Sequence, residues 1–408
     1  MTQTTIDTAA LKRRAVEIID SMAPRLIEIA DDIHAHPEIR FEERYAAKLL
    51  SDELEKAGLA VERGTAGMET AFRGDYGSGR PGPTIALLGE YDALPEIGHA
   101  CGHNLMGTMS VGAAIAIKTL MADAASQPAD SSLALPGKVV MLGTPAEEGG
   151  AGKVIMVEKG IFNGIDAAMI IHPGSNNRVH ASSIASYKLV IRFHGKPAHA
   201  AASPHEGINA LDALIMTFNG INALRQHVTP DVRIHGIITK GGAAPNIIPD
   251  FAEGNFVIRA ADKNMNEKNV EKVKNIARGA ALATGATVEF ERTGIPYDPM
   301  KSNVVLEKVF TANLVAQGVA EEMEERKGGG AGSTDMGNVS CVVPAIHPHI
   351  AIAPKGTPGH THEMCAAAGS EGGHRGLIIG AKVLATTTID LLTNPSLVEA
   401  AWKELRGQ

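Results

Sequence analysis

The stretch His99-Ala100-Cys101-Gly102-His103-Asn104 places a thiol two positions from each of two histidines, in a chain that has only three cysteines. Cys101 and His103 are two residues apart, so in extended or irregular backbone both can face one side and offer sulfur and imidazole nitrogen to a common ion. A carboxylate pair, Glu147-Glu148, follows in Thr144-Pro145-Ala146-Glu147-Glu148-Gly149-Gly150. Neighbouring side chains diverge, so one can bind metal while the other points at bound water. His172 opens His172-Pro173-Gly174, and His360 and His362 share the loop Gly359-His360-Thr361-His362. Each piece alone also reads as ordinary structure: a buried cysteine beside a hydrogen-bonded core histidine, a solvated acidic turn, or a strand-end histidine. Together, one thiolate, two or three imidazoles and paired carboxylates are the ligand inventory of a two-metal hydrolase site.

These groups need elements that deliver them to one place. Four short apolar runs read as buried parallel strands: Thr84 to Leu88, Lys138 to Leu142, Ala167 to Ile171 and Ile350 to Ala353. The first runs into Glu90-Tyr91-Asp92 and the cysteine stretch, the second into Glu147-Glu148, the third into His172 and the fourth into the His360 loop. In open parallel sheets, ligands gather beyond the carboxyl ends of the strands, where all four polar clusters fall.

Between about 186 and 293 the rhythm changes. Strand Tyr187 to Phe193, helix Gly207 to His227, strands Val232 to Thr239 and Phe251 to Ala260, helix Asn264 to Thr284 and strand Ala286 to Arg292 give a βαββαβ order, that of a ferredoxin-like unit. The sheet pattern resumes afterwards, so the expected organisation is an α/β catalytic domain with a mostly parallel sheet in two parts, 1–185 and 294–408, interrupted by an inserted domain at 186–293. An opening helix follows from Leu11, Val16, Ile19, Leu26, Ile27 and Ile29, with Pro24 expected to kink or restart it. The polar stretch Ala125 to Pro136 reads as a surface loop. Gly328-Gly329-Gly330-Ala331-Gly332-Ser333 is not a phosphate loop, because no Gly-Lys-Ser/Thr ends it, and reads as a flexible loop near the cleft.

Composition sets the remaining limits. The chain has 408 residues, 44% hydrophobic, enough core for two domains, and a net charge of -8 that gives no basic footprint for nucleic acid or anionic lipid. A small-molecule substrate is expected. The polar start Met1-Thr2-Gln3-Thr4 lacks the layout of a secretory signal. The uncharged stretch Asn104 to Ile117 is too short to span a bilayer. Three cysteines do not suit a disulfide framework, and a cytoplasmic protein is the expectation.

The residues resemble the M20 family of metallopeptidases, specifically its M20D amidohydrolase and aminoacylase-like branch, over nearly the whole chain. The resemblance is carried by Gly-Glu-Tyr-Asp-Ala-Leu-Pro (89–95), Gly-His-Ala-Cys-Gly-His-Asn (98–104), Pro-Ala-Glu-Glu-Gly-Gly (145–150) and Ile-His-Pro-Gly (171–174). Gly-Lys-Pro-Ala-His-Ala (195–200), Gly-Gly-Ala-Ala-Pro-Asn-Ile-Ile-Pro-Asp (241–250) and Gly-Ser-Thr-Asp-Met-Gly-Asn-Val-Ser (332–340) extend it. It implies Cys101 as a metal-bridging ligand, with His103, Glu148, His172 and His360 completing two adjacent sites. It implies Glu147 as the general base, needing a raised pKa, and Asp92 as the group that orients a histidine ring or the thiolate region. The inserted domain resembles the family's lid and dimerisation domain, with His199 reaching a neighbouring subunit's site to stabilise the oxyanion, and Asn246 and Arg259 holding the substrate.

Three departures from the family pattern stand out. Asn104 occupies a place that is commonly aspartate. His362 stands where the branch often has proline, so His360 or His362 is the last ligand. Glu90 stands where other M20 branches have a metal-binding histidine.

The expected function is therefore metal-dependent hydrolysis of the amide in an N-acyl amino acid or dipeptide-like substrate with a free carboxylate, by a homodimer or higher homo-oligomer that engages neither nucleic acid nor membrane. Zinc suits thiolate and imidazole best, with manganese, cobalt or nickel also admitted. An aromatic acyl conjugate, such as aminobenzoyl-glutamate, an auxin conjugate or an ochratoxin-like amide, is the alternative substrate. A catalytically silent metal-binding scaffold is the remote alternative. A serine amidase is disfavoured by the lack of a Gly-x-Ser-x-Gly elbow.

Overall fold

The computed structural model describes residues 6–125, 132–319 and 332–408. Those residues form two compact units, the first from 6–125, 132–182, 300–319 and 338–408, the second from 183–299 and 332–337.

The first unit is built on helices α1 (Thr8–Ala35) and α2 (Arg44–Lys56), strands β1 (Ala60–Arg63), β2 (Phe72–Gly77) and β3 (Thr84–Gly89), helix α3 (His103–Ala125), strand β4 (Lys138–Gly143), helix α4 (Gly152–Glu158), and strands β5 (Ala167–Met169) and β6 (His172–Gly174). A six-stranded sheet runs β1-β2-β4-β3-β5 and ends on β11 (Ala345–Ile346), after the second unit in sequence. β4, β3, β5 and β11 are parallel, whereas β1 and β2 are antiparallel additions that apolar patterning did not reveal. The parallel strands read as continuous apolar runs because they are covered on both faces: Ile85 to Leu88 and Val139 to Leu142 are wholly buried.

Register matters for chemistry. Gly89 pairs with Gly143 and Leu87 with Met169, so the loops leaving β3, β4 and β5 start side by side at one edge of the sheet. The fourth expected strand is different. β12 (His349–Ala351) leaves the main sheet and pairs in parallel with β6, His349 opposite His172, and β11 takes the edge position beside β5. A strand of two residues carries too little pattern to be seen in sequence, and the longer apolar run drew the assignment instead.

One other expectation is corrected: the opening helix does not restart at Pro24. α1 continues unbroken through Pro24, which lies on its exposed side, while Leu11, Ile18, Ile19, Leu26, Ile29 and Ile33 bury one face. Asp7 Oδ1 caps it by accepting from Ala10 N at 2.9 Å. The uncharged stretch Asn104 to Ile117 lies in α3, which runs on past Lys118; α3 and α10 (Glu371–Thr393) are long and apolar enough to cross a membrane by length and composition, and 78% and 72% of their most apolar windows lie inside the fold. Helices α7 (Val304–Ala316), α8 (Met336–Ser340), α9 (His362–Ala368) and α11 (Pro395–Leu405) complete the chain.

The second unit carries β7 (Ala185–His194), α5 (Ala210–Leu224), β8 (Arg233–Lys240), β9 (Phe251–Ala260), α6 (Lys263–Thr284) and β10 (Thr287–Arg292) in an antiparallel sheet ordered β10-β7-β9-β8, the ferredoxin-like arrangement. Its core is Leu189, Ile191, Phe193, Leu214, Phe256 and Ile258 with the inner faces of α5 and α6. The unit is longer than 186–293, because Ser186 and Tyr297 exchange backbone hydrogen bonds at 3.0 and 3.1 Å and Ile184 N donates to Gly332 O at 3.1 Å. Residues 126–131 of the expected surface loop and 328–331 of the glycine-rich loop lie outside the described residues.

Candidate metal centre

Three strand ends and one late loop supply the site in the first unit. Cys101 and His103 come from the segment between β3 and α3, Glu147 and Glu148 from the loop after β4, His172 from β6, and His360 from the loop before α9. Gly102 takes a left-handed φ of 75°, and a Cβ there would lie 2.8 Å from Pro173 Cβ, so the turn between Cys101 and His103 fits against the His172 strand only with glycine.

The ligand atoms cluster in three groups, each within 4.8 Å: Cys101, His103 and His172; Cys101, Glu148 and His360; His103, Glu147 and Glu148. Cys101 thus belongs to a nitrogen-rich group and to a carboxylate-containing one. Its Sγ lies 2.9 Å from Glu148 Oε1, and His360 Nε2 lies 3.4 Å from the same oxygen. His360, not His362, contributes the nitrogen; His362 starts α9, which Thr361 caps. His360 itself adopts a left-handed φ of 60°.

Asp92 spans two of these residues. Its Oδ1 lies 3.0 Å from His103 Nδ1 and its Oδ2 accepts the Glu148 N–H at 2.8 Å, so one carboxylate orients a ring and a loop. With Nδ1 so engaged, the buried His103 Nε2 faces the cluster. Glu90 Oε2 stands 3.2 Å from it, and Glu90 Oε1 is 2.5 Å from Lys153 Nζ, a pair with 0% exposure on both sides.

Electrostatics follow from burial and these partners. Burial pushes the Cys101 thiol up to about 12, beyond what its contact with His103 offsets; in such a place a cation is what would make the thiolate. Burial and the neighbouring His103 push His172 down, favouring the neutral imidazole that ligates metal. For His103 burial works downward, but the Asp92 and Glu90 carboxylates outweigh it and raise the ring well above its usual value. For Glu90 burial works upward and is outweighed by the Lys153 ammonium, then by His103, leaving the carboxyl at about 2. The soft-to-hard set of sulfur, imidazole and carboxylate, with its ligand atoms within 4.8 Å of one another, fits a divalent transition metal.

Several participants were not visible in sequence. His347 and His349 pack against His172 with ring centroids at 5.6 and 5.1 Å, and Arg178 Nη2 reaches His349 at 3.0 Å. Neither donates to the three groups. Their alternate spacing after Ile346 was the available signal, since residues two apart on a strand share a face. Asn104 turns from the cluster and donates to Ala30 O and Ala368 O at 3.1 and 3.3 Å, so the departure from aspartate serves helix packing.

His199, Asn246 and Arg259 belong to the second unit. His199 is exposed and its Nδ1 accepts from Ala201 N and Ala202 N at 3.2 and 3.1 Å, which places the proton of the neutral ring on Nε2 as a donor. Asn246 is its neighbour: Asn246 O accepts from Ala200 N at 3.0 Å. Arg259, on β9, donates to Ser333 Oγ at 3.2 Å.

A mixed, mainly parallel sheet with a sulfur, imidazole and carboxylate cluster at its strand ends, interrupted by a ferredoxin-like unit, is the build of a metal-dependent peptidase or amidohydrolase. Comparison with known proteins gives the same class. Residues 179–284 match the family described as the peptidase dimerisation domain. The chain is 38% identical over 406 residues to the Xaa-Arg dipeptidase of Mus musculus, covering 97% of this chain and 92% of that protein. It is 32% identical over 463 residues to one of the p-aminobenzoyl-glutamate hydrolase subunits of Escherichia coli (strain K12), covering 95% and 93%. A solved Bacillus subtilis structure, described as a dinuclear metal binding peptidase from the M20 family, superposes with a TM-score of 0.70 at 19% identity, covering 91% of this chain and 99% of that one. This chain belongs to the M20 peptidase family, in its dipeptidase and aminoacylase-like branch.

Proposed function

We propose that this protein hydrolyses the amide bond of a dipeptide or N-acyl amino acid with a free carboxylate, using two divalent cations held at the Cys101 cluster. The observation that carries the reading is the sharing of Cys101 Sγ between the two ligand groups, with Glu147 beside them. Cys101 would bridge, His103 and His172 would hold one ion, and Glu148 and His360 the other. Zinc is the first expectation from the thiolate and imidazoles, with manganese, cobalt or nickel compatible. When bound, such cations polarise a carbonyl and acidify water.

The protein's own groups supply the rest. Glu147 takes the proton of the attacking water and returns it to the leaving nitrogen. Asp92 holds His103 and the Glu148 backbone in place. Nε2–H of His199, reaching from a neighbouring subunit, is suited to donate to the oxyanion, and Asn246 and Arg259 to hold the substrate, Arg259 by pairing with its free carboxylate. The dipeptide is preferred because the relative that matches at 38% over nearly the whole chain is named for one, and an aromatic acyl-glutamate comes second because of the p-aminobenzoyl-glutamate relative.

The reading includes a homodimer. β8 is an edge strand that exposes Ile237 and Ile238 at 64% and 44%, and Ile215 and Met216 are exposed on α5; a second copy would cover them. It includes a reducing cytoplasm, where the free cysteines Cys101, Cys341 and Cys365 stay reduced.

The test is Glu147→Ala, assayed on Ala-Arg, p-aminobenzoyl-glutamate and N-acetyl amino acids after chelation and refilling with single metals. We expect metal content to be kept, and whichever hydrolysis the parent shows to fall by about 10² to 10⁴. Parental turnover in the variant would remove the base and with it this mechanism.

A further inference from the structure

We propose that Glu43 is a positioning residue for Glu147: its buried carboxylate grips the backbone just ahead of the base and fixes the direction in which the base points. This rests on Glu147 acting as the base.

Glu43 lies at the N-terminal boundary of α2, 103 positions from the residue it holds, and is wholly buried. Its Oε1 accepts the N–H of Ala146 at 2.8 Å. Ala146 stands in the left-handed region at φ 60°, a strained conformation that a non-glycine residue keeps only where its surroundings enforce it. On the far side of Glu147, Asp92 Oδ2 accepts the N–H of Glu148 at 2.8 Å. The N–H groups of the residues on either side of the base are therefore each tied to a different buried carboxylate.

Glu43 is itself held. Its Oε2 accepts from Thr70 Oγ1 at 3.0 Å, and Tyr91 Oη donates to Thr70 O at 2.6 Å. Tyr91 and Asp92 are consecutive, so the Glu90-Tyr91-Asp92 motif reaches the base loop from both sides: directly through Asp92, and through Thr70 and Glu43. The segment before Glu43 also touches the loop, with Arg40 Nη1 donating to Glu148 O at 3.2 Å and Phe41 against Gly150, where a Cβ would lie 2.8 Å from the ring. Phe41 takes a φ of 62°, rare for an aromatic residue.

Stability alone does not account for an acid here. Burial, followed in effect by the charge of Asp92, pushes the Glu43 carboxyl up to about 7, so the fold desolvates a group that an apolar side chain of similar size would replace without that penalty. What an apolar side chain cannot do is accept from Ala146 N. Neutral or charged, Glu43 keeps an acceptor oxygen, which sets the expectation for glutamine.

The experiment compares Glu43→Leu, Glu43→Gln and Glu147→Ala as metal-loaded full-length proteins on Ala-Arg and p-aminobenzoyl-glutamate, with elemental analysis and with hydrogen exchange of the peptide covering 144–150. Glu43→Leu should lower kcat by about 10², the effect of a misplacement near 1 Å, with KM within about threefold, unchanged metal content and lost protection in that peptide. Glu43→Gln should restore protection and bring kcat to within about fivefold of the parent. Parental kcat in Glu43→Leu, equal damage in both variants, or loss of metal in step with kcat would each overturn the role of Glu43. If Glu43→Leu does not fold, Thr70→Val carries the test: a several-fold fall in kcat at constant metal content supports the grip, and parental kcat overturns it. Undiminished turnover in Glu147→Ala would instead remove the base itself, so the two failures are distinct.

Discussion

Lys153→Met tests how the cluster is held from behind. Lys153 Nζ and Glu90 Oε1 meet at 2.5 Å with no exposure on either side, so the pair is shielded from bulk solvent and little screened by salt. Removing the ammonium leaves a fully buried carboxylate whose nearest charged neighbour is then the His103 ring at 3.2 Å. Breaking a buried pair from one side typically costs about 3 to 5 kcal/mol, and methionine fills most of the volume of the lysine stem, so cavity formation adds little. The second half of the cycle is Lys153→Met with Glu90→Leu, which removes both charges; at least about 2 kcal/mol of the loss should return. Urea unfolding of metal-free protein, followed by the fluorescence of the single tryptophan, Trp402, reads the first unit directly, because Trp402 packs against that unit's core. A Lys153→Met midpoint equivalent to less than about 1 kcal/mol of destabilisation, or a double variant no more stable than the single one, would refute the claim that this pair is coupled.

Three further outcomes are expected. Cys101→Ser should weaken metal binding by at least about tenfold in equilibrium dialysis, because it removes the atom shared by two ligand groups; unchanged metal content would count against the ligand assignment. Gly102→Ala should lower stability by about 1 to 3 kcal/mol and reduce metal content, since the added Cβ meets Pro173 and forces apart the segments that carry Cys101 and His172; a calorimetric scan matching the parent would contradict this. For Glu43 the folded value of about 7 lies above the ordinary 4.5, so between those two pH values the unfolded chain has released a proton that the folded one retains. Stability should therefore be fully present below pH 4.5 and fall as pH rises through that window, by about 3 kcal/mol at about 1.4 kcal/mol per pH unit; Glu43→Gln should remove this component of the slope in urea titrations.

Much of the site could be read from the chain because its donors sit in short motifs directly after apolar runs. Wholly buried parallel strands write themselves as unbroken apolar sequence, as in Ile85 to Leu88 and Val139 to Leu142, and the chemistry begins where such runs end. The alternation of strand and helix patterns made the ferredoxin-like unit legible as well, and in the fold the Asn209 and Asp262 side chains cap α5 and α6. In these places the local sequence and the tertiary environment ask for the same residues.

Register and long-range pairing were decided only by the tertiary structure. Nothing near Glu43 announces that it will meet Ala146 across 103 positions. Lys153 looks like a surface helix residue until Glu90 is set beside it. β11 is two residues long, and only its pairing with β5 makes it a strand and delivers His347 and His349 to the back of His172. A buried charge or polar ring is tolerated only where a partner satisfies it, and that partner is chosen by packing in three dimensions. Residue type and spacing determined which donor groups this chain offers; the folded contacts decided which of them meet at the Cys101 cluster and that the Asp92 and Glu43 carboxylates accept from the backbone of the Glu147 loop.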